Sequence, residues 1–164
     1  GFIANLTALS AARALIAPEA WTEGNPSDLV IIGPASAHYS IARALSIMGM
    51  GKNAYVPVPV DQNEVIQTTH LERVYEEVKD QNKRVMAVVA NACATSSGLF
   101  DPLEPMAAFC EKHNLWFHVD GAHGAAALLS KKILNQKFLC FSVIKKLLLM
   151  IYYIINSTHN FSTN

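Results

Sequence analysis

The spacing of apolar residues changes several times along this chain, and each change marks an element. Over Phe2 to Ala17, Ile3, Leu6, Leu9 and Ile16 fall near helical spacing among alanines, which predicts a helix that Pro18 ends. Glu23 to Asp28 holds Gly24 and Pro26 and predicts a turn. Leu29 to Ile32 is a short apolar run between punctuating residues, the pattern of a buried parallel strand. Ile41, Leu45 and Met48 then sit at i, i+4 and i+7, and Gly49 or Gly51 stops that helix. Ala54 to Val60 is extended but contains Pro57 and Pro59, so it is expected at a sheet edge or as irregular chain.

Periodicity continues in the second half. Thr69 to Glu72 fits a capping box ahead of a helix with Leu71, Val74, Tyr75 and Val78 on one face. Arg84 to Ala90 is rich in β-branched residues and predicts a strand, followed by a polar loop from Asn91 to Ser97. Asp101 and Pro102 read as the cap and first residue of a helix whose buried stripe is Leu103, Met106, Ala107 and Cys110. Asn114 ends it, and Leu115 to Val119 carries Asp120 to the end of a last strand. Strands alternating with helices predict an α/β fold with a parallel sheet in three layers, α/β/α.

Composition narrows the function classes. Half of the 164 residues are hydrophobic and 16% are charged, enough for a sizeable core. Thirteen basic residues balance thirteen acidic ones, so no net charge recommends nucleic acid or an anionic membrane as partner. Cys93, Cys110 and Cys140 are odd in number and lack metal-ligand spacing, which suits reduced thiols in the cytoplasm. On that basis the N-x-S/T matches at Asn5, Asn156 and Asn160 are chance. The apolar stretch from Phe138 to Ile155 has Lys145 and Lys146 at its middle, each costing roughly 2.5–3.5 kcal/mol in a bilayer, so no span is expected.

Three expected strand ends deliver polar residues to one rim, where open α/β sheets bind ligands: His38, Thr95 and Asp120. His38 either stacks its flat imidazole on an aromatic ligand or caps the next helix. Thr95, with Ser96 and Ser97, either offers a hydroxyl to a ligand oxygen or serves the turn. Asp120 either pairs with a protonated ring nitrogen or caps a helix, while Gly121, Ala122 and Gly124 are expected to leave room for something flat. His118-x-Asp120-x-x-His123 has residue types that suit zinc, but His118 and Asp120 are expected on opposite strand faces, so no metal is assigned. No G-x-G-x-x-G follows a strand, which argues against a nicotinamide cofactor.

The runs SAHYSIARALSIMGMG (36–51), VVANACATSSGLFDPLEPMAAFCEKH (88–113) and WFHVDGAHGAAALLS (116–130), with the opening GFIANLTALSAAR, together resemble the group II pyridoxal-phosphate-dependent amino acid decarboxylases. The resemblance implies an incomplete large domain of fold type I, like that of aspartate aminotransferase, over residues 1–132, with a divergent apolar tail over 133–164. It implies pyridoxal 5′-phosphate as cofactor, an amino acid substrate held as an external aldimine and losing its α-carboxylate, and a homodimeric parent enzyme. His38 would stack on the pyridine ring, Ala122 would lie on its other face, and Asp120 would keep the ring nitrogen protonated. Thr95 would lie near the ring hydroxyl and the substrate carboxylate, and Gly1 and Phe2 would give N–H groups to the phosphate. In the family a lysine follows Asp-x-His about twenty residues after the position of Ser130. Here Lys145-Lys146-Leu147 echoes that run with Lys146 at the lysine position and a shorter spacing. The expectation is therefore a fragment without activity on its own. Other fold type I chemistries, such as aminotransferase or cysteine desulfurase, and a non-catalytic remnant are the alternatives.

Overall fold

The computed structural model describes residues 1–125. Cys140, Lys145, Lys146 and the apolar stretch from Phe138 to Ile155 lie outside the described residues, as does the expected boundary at 132.

Four parallel strands form one sheet in the order β2-β1-β3-β4, with β1 Leu29–Pro34, β2 Tyr55–Val58, β3 Arg84–Asn91 and β4 Trp116–Asp120. Each strand but the last leads into a helix that returns the chain to the next strand: α2 Tyr39–Ile47, α3 Leu71–Asp80 and α4 Leu103–Lys112. Helix α1, Phe2–Ile16, precedes the first strand. The proline-bearing β2 takes the edge beside β1, where missing N–H donors are tolerated. From β1 the chain moves first to one side and then to the other, so β1 and β3 flank the point where strand order reverses, the usual place for a ligand crevice.

Alternation along the strands sorts the core into two faces. Leu29, Ile31, Ala87 and Val89 pack with Leu9 and Ala12 of α1 and with Ile41, Ala44 and Leu45 of α2. The intervening Val30, Ile32, Val88 and Ala90 are also buried and fall on the opposite face, served by α3 and α4. Both faces are covered, which is why these strands read as continuous apolar runs. In α4 the expected stripe of Leu103, Met106, Ala107 and Cys110 is buried, joined by Phe109.

Two caps and one stripe differ from expectation. Helix α3 starts at Leu71 after a 3₁₀ turn over Thr68–His70 and has no side-chain cap, so the capping box at Thr69 does not form. Glu72 turns instead to α4, where Lys112 Nζ donates at 2.9 Å and His113 lies at 3.1 Å. Asp101 does not cap α4 either: its carboxylate accepts from the backbone N–H groups of Ile66 at 3.0 Å and Asn91 at 2.6 Å. In both cases a partner distant in sequence outcompetes the local motif. In α1 the buried stripe is Asn5, Leu9 and Ala12, while Ile3 stays 69% exposed and Ile16 38%.

Candidate active site

The carboxyl ends of β1, β3 and β4 surround a cleft of about 330 Å³. Gly1, His38, Thr95, Asp120 and Ala122 all line it, together with Asn5, Ser40, Asn91 and His123. Five of the six residues singled out within the described part of the chain thus share one cavity. The sixth, Phe2, begins α1 beside Gly1, with its ring beneath the Arg43 guanidinium at 5.2 Å.

Strand register sets the floor of the cleft. Asn91 at the end of β3 pairs with Asp120 at the end of β4, and both project to the face covered by α1 and α2. Asp101 holds Asn91 from outside the cleft through reciprocal bonds, accepting from its N–H while donating its own N–H to the Asn91 carbonyl at 3.0 Å. Burial pushes the Asp101 carboxyl up, and the two N–H donors to it pull the other way.

Asp120 is 8% exposed. One carboxylate oxygen accepts from Asn5 Nδ2 at 2.9 Å and the other from the Ala122 N–H at 3.1 Å. Among the described residues no lysine or arginine pairs with it, so its two partners are neutral. His118 lies on the same strand face as Asp120, not the opposite one, because residues two apart along a strand share a face. Its Nε2 lies 3.0 Å from Asn5 Oδ1. Burial pulls the His118 pKa down to about 4, outweighing the neighbouring Asp120 charge that favours protonation, so this imidazole is neutral. Among the described residues no group of three histidine, cysteine, aspartate or glutamate side chains could hold a metal ion.

His38 is both a helix cap and a cleft residue. Its Nδ1 accepts from the Ser40 N–H at 3.3 Å and lies 2.8 Å from Ser40 Oγ, while the ring borders the cavity. In the β3–α4 loop, Ser96 donates to Glu64 and Ser97 accepts from the Leu99 N–H. Thr95 therefore supplies the hydroxyl of this trio that borders the main cleft.

The glycines after Asp120 do a different job from the one expected. A Cβ on Gly124 would sit 2.6 Å from the Ala92 carbonyl oxygen and the Cys93 nitrogen, and one on Gly121 would meet Ala125 Cβ at 2.8 Å. The bareness of Gly124 lets this loop pack on the β3–α4 loop, where its N–H donates to the Ala92 carbonyl at 3.0 Å, while that of Gly121 makes room for Ala125. Three polar cleft residues, Asn5, Ser40 and Asn91, are not expected from the sequence. Asn5 drew notice only as a glycosylation match, although a lone polar residue at i to Leu9 and Ala12 marks a buried stripe with one hydrogen-bonding member. Asn91 ends β3 rather than opening the expected loop, is 4% exposed, and its Nδ2 has no partner among the described residues.

The conserved-domain description that matches residues 1–143 is that of the pyridoxal-dependent decarboxylases. Glutamate decarboxylase of Drosophila melanogaster is 35% identical over 141 residues, covering 84% of this chain and 28% of that protein. The aromatic-L-amino-acid decarboxylase of Bacillus atrophaeus is 32% identical over 132 residues, with coverages of 80% and 26%. Among solved structures, mouse CSAD is 31% identical at a TM-score of 0.78, covering 80% of this chain and 28% of its own. The glutamate decarboxylase domain of a Vibrio parahaemolyticus diaminobutyrate-pyruvate transaminase and L-2,4-diaminobutyrate decarboxylase is 30% identical, also at 0.78, with coverages of 84% and 32%. The chain thus spans about a quarter to a third of the length of these relatives.

Proposed function

The chain belongs to the pyridoxal-dependent decarboxylase family, and from that premise we propose that its cleft is the cofactor floor of an amino acid carboxy-lyase that uses pyridoxal 5′-phosphate. The observation that carries the reading is Asp120: a carboxylate 8% exposed, on the wall of a cleft, with only neutral donors among the described residues. Such a charge is costly to bury unless a positive group meets it. A protonated ring nitrogen is that group. The second support is Asn91 Nδ2, a buried donor on the same wall with no partner among the described residues, which an acceptor oxygen on a bound molecule would satisfy.

When bound, pyridoxal phosphate supplies an electron sink for the pair left behind as the α-carboxylate departs. The chain's own residues prepare for that. Asp120 would hold a proton on the ring nitrogen by its charge. His38 would offer a flat imidazole to one ring face, and Ala122 would border the other with a small side chain. Thr95 would present its hydroxyl to the ring oxygen and the substrate carboxylate. The Gly1 and Phe2 N–H groups open α1, where the helix dipole favours a phosphate.

Lys146, assigned to attach the cofactor covalently, lies outside the described residues. The reading includes a cytoplasmic enzyme with an amino acid substrate and the homodimeric assembly that the family resemblance implies. Among the described residues no helix is long and apolar enough to cross a membrane. Incubation of the full chain with pyridoxal phosphate, borohydride reduction and peptide mapping by mass spectrometry tests the covalent part. A stoichiometric label on Lys146 would assign it the attachment and overturn the expectation of an inactive fragment; no label supports that expectation.

A further inference from the structure

Asn5 stands at the centre of a hydrogen-bond chain, buried as far as Ser40, that joins both proposed ring contacts. Its Nδ2 lies 2.9 Å from Asp120 Oδ2 and 3.0 Å from Ser40 Oγ, and its Oδ1 lies 3.0 Å from His118 Nε2. Asn5, Ser40, His118 and Asp120 are between 1% and 8% exposed, so water does not compete for these bonds.

Chemistry fixes the direction of every bond. An ionised carboxylate only accepts, so the amide group facing Asp120 is the NH₂. The Asn5 carbonyl then faces His118, which must carry its proton on Nε2 and donate it. Ser40 Oγ accepts from Asn5, which directs its own hydrogen to His38 Nδ1 at 2.8 Å. The Ser40 N–H already points at that nitrogen, at 3.3 Å. His38 Nδ1 is thereby an acceptor twice over, and the His38 proton sits on Nε2.

We propose that Asn5 is a positioning residue that sets the orientation of Asp120 and the tautomers of His38 and His118 together, its amide turned by the Asp120 carboxylate. Through Ser40, one amide aligns the carboxylate that meets the ring nitrogen and the imidazole that meets the ring face. The direction of the chain is a property of the protein alone; its use in cofactor binding rests on the pyridoxal phosphate reading above.

Three measurements on the full chain test it. In ¹⁵N-histidine-labelled protein without cofactor, two-bond ¹⁵N–¹H correlation should show His38 and His118 each in the Nε2–H form. Either ring in the Nδ1–H form overturns the proposal, whatever any variant does. Ser40→Ala cuts the chain between Asn5 and His38: His38 should lose its single tautomer while His118 keeps its own, and an unchanged His38 contradicts the coupling. Asn5→Leu keeps the volume and removes the donor to Asp120 without adding a charge. If the wild-type chain binds pyridoxal phosphate, this variant should bind about ten- to a hundredfold more weakly, the loss expected for a charge-assisted hydrogen bond. The absorption band of bound cofactor should also shift toward that of an unprotonated ring. Equal affinity with an unshifted band refutes the positioning role. A wild-type chain that binds no pyridoxal phosphate refutes the functional reading instead, and the two tautomer measurements still decide the coupling.

Discussion

Acid should weaken this fold through His118, and the size of the effect follows from its burial. The unfolded chain binds a proton on this imidazole near pH 6.5, whereas the folded chain does so only near 4. Between those values the unfolded state holds more protons, so stability is fully present above pH 6.5 and is lost as the pH falls toward 4. Each pH unit in that window is worth about 1.36 kcal/mol. From pH 7 to pH 5 the wild-type chain should therefore lose about 2 kcal/mol through this one group. His118→Gln retains a donor for Asn5 Oδ1 and cannot titrate. Urea unfolding of both proteins across this range isolates the effect, because carboxylates away from the site contribute equally to each. The exception is Asp120, the charged neighbour whose field partly opposes the shift. The wild-type curve should fall below the variant's on acidification, by about 2 kcal/mol more at pH 5 than at pH 7. Parallel curves would show that His118 is not buried neutral.

Gly124→Ala should destabilise the chain by about 1–3 kcal/mol or more, because its Cβ would lie 2.6 Å from backbone atoms of Ala92 and Cys93 that have little freedom to retreat. A thermal midpoint equal to wild type would mean that the two loops are not packed as described. Asn91→Ala should behave in the opposite way. Removing a buried donor that has no partner among the described residues relieves a cost of about 1–3 kcal/mol, offset by lost packing, so the urea midpoint should stay level or rise while pyridoxal phosphate affinity falls. A large loss of stability with affinity intact would make Asn91 structural only.

Much of this architecture was written in periodicity, because the strands are buried on both faces and the helices carry regular stripes. The rim was legible for the same reason: His38 and Thr95 follow β1 and β3, Asp120 ends β4, and all three border the cleft. What local pattern could not reveal were bonds between residues far apart in the chain. Asn5 meets Ser40, His118 and Asp120 across 35, 113 and 115 positions, and nothing in its neighbourhood announces them. Asp101 and Glu72 looked like helix caps until partners from other segments claimed their carboxylates. Gly124 was read as clearance for a ligand, yet the atoms nearest to its absent side chain belong to the protein. The placement of His118 and Asp120 on opposite faces was an error of register, and their shared contact with Asn5 corrects it.

The central claim is that Asp120 answers the protonated ring nitrogen of pyridoxal phosphate. Equilibrium titration of the full chain with the cofactor, followed by absorbance, tests it directly against Asp120→Asn, which keeps the shape and removes the charge. The account predicts saturable binding by the wild-type chain, with affinity reduced about tenfold or more in the variant and a band shifted toward the unprotonated ring. Equal binding by the two proteins, or none by the wild type, would contradict it.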